Sequence, residues 1–537
     1  MKSAVPCRFP FFSLFPGFAA VFLLSLSPAK AEQWTFSNVD GNAWSTLANW
    51  TESLPGSPVP PGTAGNTYTN VRLNINGLVD YGAAEGTQTY DVSAAGGETR
   101  GLVVAATDFN SAKRVTVSGT GANLIFIPET GLQSVLVGAG ISAAFAGQAT
   151  LIVDNGATLK VQTAGGAITG DIAILTRGTA TASGTMTVGG SGLGSLVSSD
   201  RVTFGAIFAP TAGATGAVNI NSGGTLLTRQ ILAAANSNNS QYASVNFNGG
   251  TLRSADTNNS EVWISGSNAL AVRLLAGGAT FDTNGQNGQS VTAVISGSAG
   301  GALTKAGAGT LILTAANTYD GGTVVNAGSL LVNNTAGSGL GSGSVSVVTT
   351  GTLGGTGTIR PSGANGLSVG GVLAPGASIG TLTLDLTDTT GTVSMLNTGA
   401  FAFELGTANG SLGAIAAGSS DLLVLAGAAS GDFTFSGNTV DFLGTGEIGY
   451  YKLFDTSLDA STWSGLTFDS ITGVVSGGLT AANLGGLSGT FIVGTAANGG
   501  DVGDIYLHAV PEPATGTLLL VFAGLLLRRK RKDREMI

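Results

Sequence analysis

Charge, cysteine and histidine are what this sequence has least of. Only 10% of its 537 residues are Asp, Glu, Lys or Arg, against the roughly one quarter usual in soluble domains, which excludes both an extended polyelectrolyte and a typical cytosolic globule. The single cysteine, Cys7, lies near the N-terminus, so the chain beyond it has no disulfide and no thiolate ligand. The single histidine, His508, stands three residues before Pro511. One imidazole cannot make a two-histidine metal site, and a His-dependent triad would have to be built there. His508 is expected to be a solvent-exposed or strand-end residue. The calcium-binding nonapeptide Gly-Gly-x-Gly-x-Asp is absent, and no metal or other cofactor is expected.

Basic residues are scarce in the body of the chain. Lys2, Arg8 and Lys30 lie at one end, and Arg528, Arg529, Lys530, Arg531, Lys532 and Arg534 at the other, leaving 13 basic against 29 acidic residues between Ala31 and Leu527. A body near −16 repels phosphate backbones, so nucleic-acid binding is discarded.

Glycine is what the sequence has in excess, 86 residues, but not at every third position, which excludes collagen. No helix follows a glycine cluster, so a phosphate-cradling loop is not credible either. The glycines punctuate strands. In 301–334, GALTKAGAGTLILTAANTYDGGTVVNAGSLLVNN, alternating apolar pairs (Leu311 and Leu313; Leu330 and Val332) are separated by Gly, Asn and Thr clusters, the pattern of short strands joined by tight turns. A Gly-Thr-Leu or Gly-Ala-Thr-apolar step recurs with Leu159, Leu226, Leu252, Phe281, Leu311, Leu353 and Leu382 in last place. Four of the gaps are 26, 29, 30 and 29 residues, and the other two are 67 and 42. A unit this long, apolar on one strand-wide face, must stack on its neighbours. The expectation is an all-β, right-handed parallel β-helix, right-handed because parallel crossovers are. Antiparallel β-sandwiches are the competing reading, disfavoured by the shortage of Asn-Gly hairpin signals between most runs. Stacked at ~4.8 Å per coil, the array would be a rod on the order of 100 Å long.

These residues resemble a known family. Lys305-Ala306-Gly307-Ala308-Gly309-Thr310-Leu311, Asn317-Thr318-Tyr319-Asp320-Gly321-Gly322-Thr323 and Gly328-Ser329-Leu330, continued by Gly337-Ser338-Gly339, Leu373-Ala374-Pro375-Gly376 and Gly380-Thr381-Leu382, are similar to the autotransporter-associated β-strand repeat of exported bacterial passenger domains. The resemblance is strongest over 278–384. It implies a β-helical, surface-exposed or secreted structural protein and no enzyme activity. An autotransporter would finish with a membrane barrel of many ~10-residue amphipathic strands. This chain finishes with one apolar segment, so the resemblance carries over the passenger architecture alone.

The two ends read as export signals. Lys2 and Arg8, an apolar core through Phe11, Leu14, Val21, Phe22, Leu23 and Leu24, and Ala29-Lys30-Ala31 form a signal peptide cleaved after Ala31. At the other end Val510-Pro511-Glu512-Pro513 precedes an apolar run, 514–527, and a basic cluster, a tail that resembles the PEP-CTERM sorting signal. That resemblance implies delivery to an exosortase-type enzyme after passage through the export machinery. The basic cluster favours a cytoplasmic end, and the run is shorter than the ~20 residues of a full membrane span, which suits transient residence as a short apolar helix. An ordinary tail anchor is the plainer alternative.

The chain thus divides into a signal peptide (1–31), a Trp-rich cap and Pro-rich connector (32–68), a β-helical repeat region (69–396), a β-rich C-terminal cap (397–509) and a sorting segment (510–537). Trp34, Trp44 and Trp50 sit in the first of the exported parts. Their rings could stack on sugar, or cover the open end of the first coils, as terminal repeats must. The remaining candidates for chemistry are carboxylates: Asp421, Asp432 and Asp441, or Asp256 with Glu261, which a polysaccharide-modifying β-helix would use in pairs. None sits in a recognisable motif, and loop acids are usually solvated. The expected function is an exported, non-enzymatic surface or matrix protein with a structural or adhesive role. Binding or modification of extracellular polysaccharide is the alternative.

Overall fold

A computed structural model describes residues 32–36, 50–52 and 67–512, except 70, 76–77, 82, 86, 92–100, 105–112, 129–132, 140–146, 178–180, 206–212, 235–241, 256–261, 268, 298–299, 364–365, 388–389, 416–417, 445, 457–462 and 471. Within them the chain is strand after strand, with two 3-10 turns and no α-helix. The alternation that predicts strands is the alternation observed. In Gln148–Asp154 the side chains of Ala149, Leu151 and Val153 are buried while those between them are partly exposed, as pleating requires.

The strands stack in parallel into a β-helix with three faces. One face runs from Thr67–Thr69 through Thr87–Asp91, Asn123–Ile127, Gly250–Ser254 and Leu303–Ala306 to Trp463–Ser464. The second runs from Glu32–Phe36 through Leu102–Val104, Thr310–Leu313 and Gly351–Gly355 to Leu479–Ala482. The third is interrupted. Leu78–Tyr81 to Ile295–Gly297 makes an eight-stranded sheet, and a six-stranded sheet resumes at Thr358–Ile359. Parallel stacking passes through residue 396 without a break, since Ala400–Glu404 pairs with Val372–Pro375 before it and Asn438–Leu443 after it.

Coil length follows that interruption. Thr158 is paired with Leu196, 38 residues on, whereas Leu303 is paired with Thr323, 20 residues on, and Thr323 with Val345, 22 on. The two coils from 303 to 345 have no third-face strand, and the next, from Val345 to Leu367, is as short as the second of them although it carries the two-residue strand Thr358–Ile359. The regular spacing read from the sequence is therefore right in part. Leu226, Leu252 and Phe281 do stack in register. Phe281, however, is paired with Lys305, while Leu311 is paired with Gln289 and Leu330 on the next face. Likewise Leu353 is paired with Leu373, and Leu382 lies on the third face. Gly-Thr-Leu starts strands on more than one face, so equal spacing does not by itself mean the same face.

Corners explain the glycine and the Asn-Gly pairs. Asn155 and Gly156 have φ of 56° and 83°, and the Ala157 amide donates to the Asp154 carbonyl at 3.1 Å. Asn-Gly here turns the chain from one face to the next instead of closing a hairpin. Coils also approach closely at such corners. A Cβ on Gly309, whose φ is 93°, would lie 2.1 Å from the Gln286 carbonyl oxygen of the coil below, so only glycine fits.

One continuous apolar core fills the interior from Leu73 to Ala509. Each fully buried Leu, Val or Phe in it contributes roughly 1.5–3 kcal/mol. Outside, Arg114 and Asp80, Arg201 and Asp171, Arg229 and Asp200, Arg253 and Asp282, and Arg360 and Asp385 form ion pairs between adjacent coils. At the C-terminal end Phe401, Phe433, Phe435, Phe454 and Trp463 pack ring against ring, with centroids 4.9–6.5 Å apart. There the third face finishes differently. Ile505–Pro511 runs antiparallel to Gly449–Thr456, and Leu487–Val493 antiparallel to Ile505–Pro511. An antiparallel pair also stands at the N-terminal end, Glu32–Phe36 with Trp50–Glu52.

Candidate functional site

In the short coils Lys305, Asn317, Tyr319, Thr323 and Asn334 point inward. Lys305 is fully buried. Its Nζ donates to the carbonyl oxygens of Ala306 at 2.9 Å, Gly307 at 2.7 Å and Ala327, on the following coil, at 2.9 Å. Burial pushes this ammonium down to about 8, with Asp282 opposing the shift. Asn317 joins three coils. Its Oδ1 accepts from the Ile295 amide at 2.8 Å, and its Nδ2 donates to the Gly339 carbonyl at 2.6 Å. Asn334 accepts from the Thr358 amide and donates to the Ala336 and Gly337 carbonyls. The Tyr319 hydroxyl meets the Thr323 hydroxyl at 2.6 Å inside the core, and burial there holds the phenol well above its ordinary range. Where third-face strands are missing or short, the Asn317 and Asn334 amides pair main-chain groups that a strand would have paired.

Among the described residues the candidate carboxylates Asp421, Asp432 and Asp441 each bind partners of their own. Asp421 is 3% exposed, a correction to its reading as a solvated loop acid. Its two oxygens accept from the Gly380 amide at 2.9 Å and the Glu404 amide at 2.6 Å. Burial raises it to about 6, against the pull of those two amides. Such a raised acid is a general-acid signature, but both oxygens of this one are occupied in tying two segments together. Asp432 accepts from the Ala429 amide in its own turn, and Asp441 from the Asn483 side chain. Asp256 and Glu261 lie outside the described residues. No group of three His, Cys, Asp or Glu able to hold a metal occurs among the described residues.

His508 is neither fully exposed nor at a strand end. It lies within Ile505–Pro511 and stacks on Tyr450, the rings 4.2 Å apart and 6° from parallel. Antiparallel pairing places the two residues opposite each other.

One cluster escaped the sequence reading. Lys452 Nζ contacts Asp501 at 2.7 Å and Asp504 at 2.5 Å, and Asp504 is fully buried, with the Thr456 amide donating to its second oxygen. The Tyr506 hydroxyl accepts from the Asp501 amide at 2.9 Å and faces both carboxylates at 3.4 Å. The two acids lie 49 and 52 residues from Lys452, and no local pattern announces them. A cavity of about 220 Å³ beside Lys452, Asp455, Ser419 and Ser420 lies within the same end of the stack.

At the N-terminal end Trp34 and Trp50 stand on adjacent antiparallel strands, where Phe36 is opposite Trp50 and Trp34 opposite Glu52. Trp44, the signal peptide and the cleavage residues Ala29 and Ala31 lie outside the described residues. At the other end Pro511 closes its strand opposite Leu487, and both Pro511 and Glu512 are exposed. Pro513 and the apolar segment 514–527 lie outside the described residues. Among the described residues no helix is long and apolar enough to cross a membrane.

Comparison with known proteins agrees with this geometry over one coil and a half. No curated protein matches the chain. Residues 303–332, the stretch that holds Lys305, Asn317 and Tyr319, match the family model of the passenger-associated-transport-repeat.

Proposed function

We propose that this chain is an exported, non-enzymatic β-helical surface or matrix protein with a structural or adhesive role. The observation that carries this reading is the passenger-type repeat at 303–332, whose Lys305, Asn317, Tyr319 and Thr323 are spent inside the stack. A coil built this way offers rigidity and length, not a reaction site. The leader at 1–31 takes the chain to the export machinery. The tail, Pro511, Glu512 and Pro513 with the apolar and basic residues behind them, sends it to an exosortase-type enzyme after brief residence in the membrane. Extracellular polysaccharide is the partner such a surface would meet, with Trp34, Trp44 and Trp50 as its contacts.

The test is delivery. An internally tagged chain is followed by cell fractionation, with the mass of both mature ends measured, and compared with the Pro511→Ala, Pro513→Ala double variant. The wild type is expected at the surface with the leader removed, and the variant retained. Equal delivery of the two would remove the sorting half of the proposal, and an untrimmed chain in the cytosol would remove the rest.

A further inference from the structure

A groove of about 640 Å³ opens at the C-terminal end of the stack between Leu479, Ala481, Leu484, Phe491 and Glu512. One wall is the strand Leu479–Ala482. Its inner edge pairs with Asn438–Leu443, and no strand among the described residues pairs with its outer edge. An uncovered edge is a template for another strand. Main-chain bonds to such an edge, with side-chain pockets beside it, are how sheets capture extended segments.

The chain itself supplies a segment of the right kind. Glu512, the last described residue, lines the groove. Four residues on comes Gly516-Thr517-Leu518-Leu519-Leu520. Gly-Thr-Leu also opens Gly351–Gly355 and spans the start of Thr310–Leu313, both rungs of this same face. There the Thr joins an outward column that passes through Thr310, Ser329 and Thr352 and ends at Thr439 and Thr480. The Leu joins the inward column beside it, which ends at Val440 and Ala481. Continuing both columns by one coil puts Thr517 over Thr480 and Leu518 over Ala481. From Glu512 to Thr517 an extended chain reaches up to ~17 Å, enough to move along the groove it already lines.

We propose that residues 516–520 add to the outer edge of Leu479–Ala482 as a terminal parallel rung. The apolar tail then has a berth on the protein, and a membrane must compete with that berth to take it. The proposal needs only the groove and the tail sequence, so it stands or falls apart from the sorting reading.

Disulfide trapping in the full chain tests it. In a Cys7→Ser background, Thr480→Cys is combined with Thr517→Cys. As a control, Thr225→Cys, on another face and many coils away, is combined with the same tail substitution. Paired parallel strands bring the first two residues within the 4.4–6.8 Å Cα range of a disulfide. Under mild oxidation in detergent-free buffer, the intramolecular 480–517 disulfide is expected at several-fold the yield of the control. Phospholipid vesicles should lower that yield, and adding Leu518→Asp should abolish it while leaving the circular dichroism of the stack unchanged. Equal yields in the two pairs, or a 480–517 disulfide found between chains instead of within one, would overturn the proposal.

Discussion

Lys305 is the register partner of Phe281, one coil on in an inward column that is otherwise mostly apolar, and its ammonium is solvated by three main-chain carbonyls. The repeat thus places a tethered cation where a corner directs carbonyl oxygens inward from two consecutive coils. Methionine matches the stem but not the donor. Lys305→Met is expected to lower stability at neutral pH by about 1–3 kcal/mol, the cost of leaving buried acceptors unmade. Denaturant titration measures this, and hydrogen exchange should place the loss in the coils around 303–332. A neutral or stabilised variant would show that the desolvated charge costs as much as its bonds return.

The same residue gives a pH signature of definite sign. Its folded value, about 8, lies below the ~10.4 of a free lysine. Between those values the unfolded chain binds more protons, so stability rises with pH, by up to about 3 kcal/mol in total. Tyr242 and Tyr506, raised to about 12 by burial, act the other way above pH 10, where the unfolded phenols ionise first. The window to examine is therefore pH 8 to 10. There the thermal midpoint of the wild type should climb relative to that of Lys305→Met, and parallel curves would refute the assignment.

Why some of this was legible and some was not follows from the physics of stacking. Alternation within a strand is local, so Leu311 with Leu313 and Leu330 with Val332 declare their strands in the sequence, and the structure has them. The passenger-type motif was equally local. Which face a strand joins depends on how the corners before it turn, and that is why Leu311 could be mistaken for the next rung above Phe281. Asp421 could not be seen as buried because its partners, the Gly380 and Glu404 amides, carry no side-chain signal. His508 owes its place to pairing with a strand some sixty residues earlier.

Asn317 offers a sharper test of how coils are joined, because its two amide ends face opposite requirements. Oδ1 must accept and Nδ2 must donate. Asn317→Asp keeps the first bond and sets an acceptor against the Gly339 carbonyl. Asn317→Ala loses both bonds. Each buried group left unmade costs about 1–3 kcal/mol, so alanine should cost roughly twice that, and aspartate should approach it at neutral pH. Acid should restore part of the Asp variant, since a protonated carboxyl can donate again. If the aspartate variant were as stable as wild type at pH 7, the amide would not be bridging the coils.

The buried pair at the C-terminal end gives the last prediction. Asp504 is fully buried and depends on Lys452 Nζ and the Thr456 amide. Burial already raises its pKa, against the opposing pull of Lys452. Removing the cation by Lys452→Met leaves a carboxylate without its counter-charge, which typically costs 3–5 kcal/mol. It should also raise Asp504 further, so that the folded variant holds a proton the unfolded chain releases. Stability of the variant must then fall as pH rises through the range above the ordinary carboxylate value, and recover on acidification. The double variant Lys452→Met, Asp504→Asn removes the orphaned charge and should regain most of the loss at neutral pH. Chemical denaturation of the three proteins at pH 5 and pH 7 decides it. A single variant equally destabilised at both values, or a double variant no better than the single, would mean that the loss comes from packing around the lysine stem and not from the charge left behind.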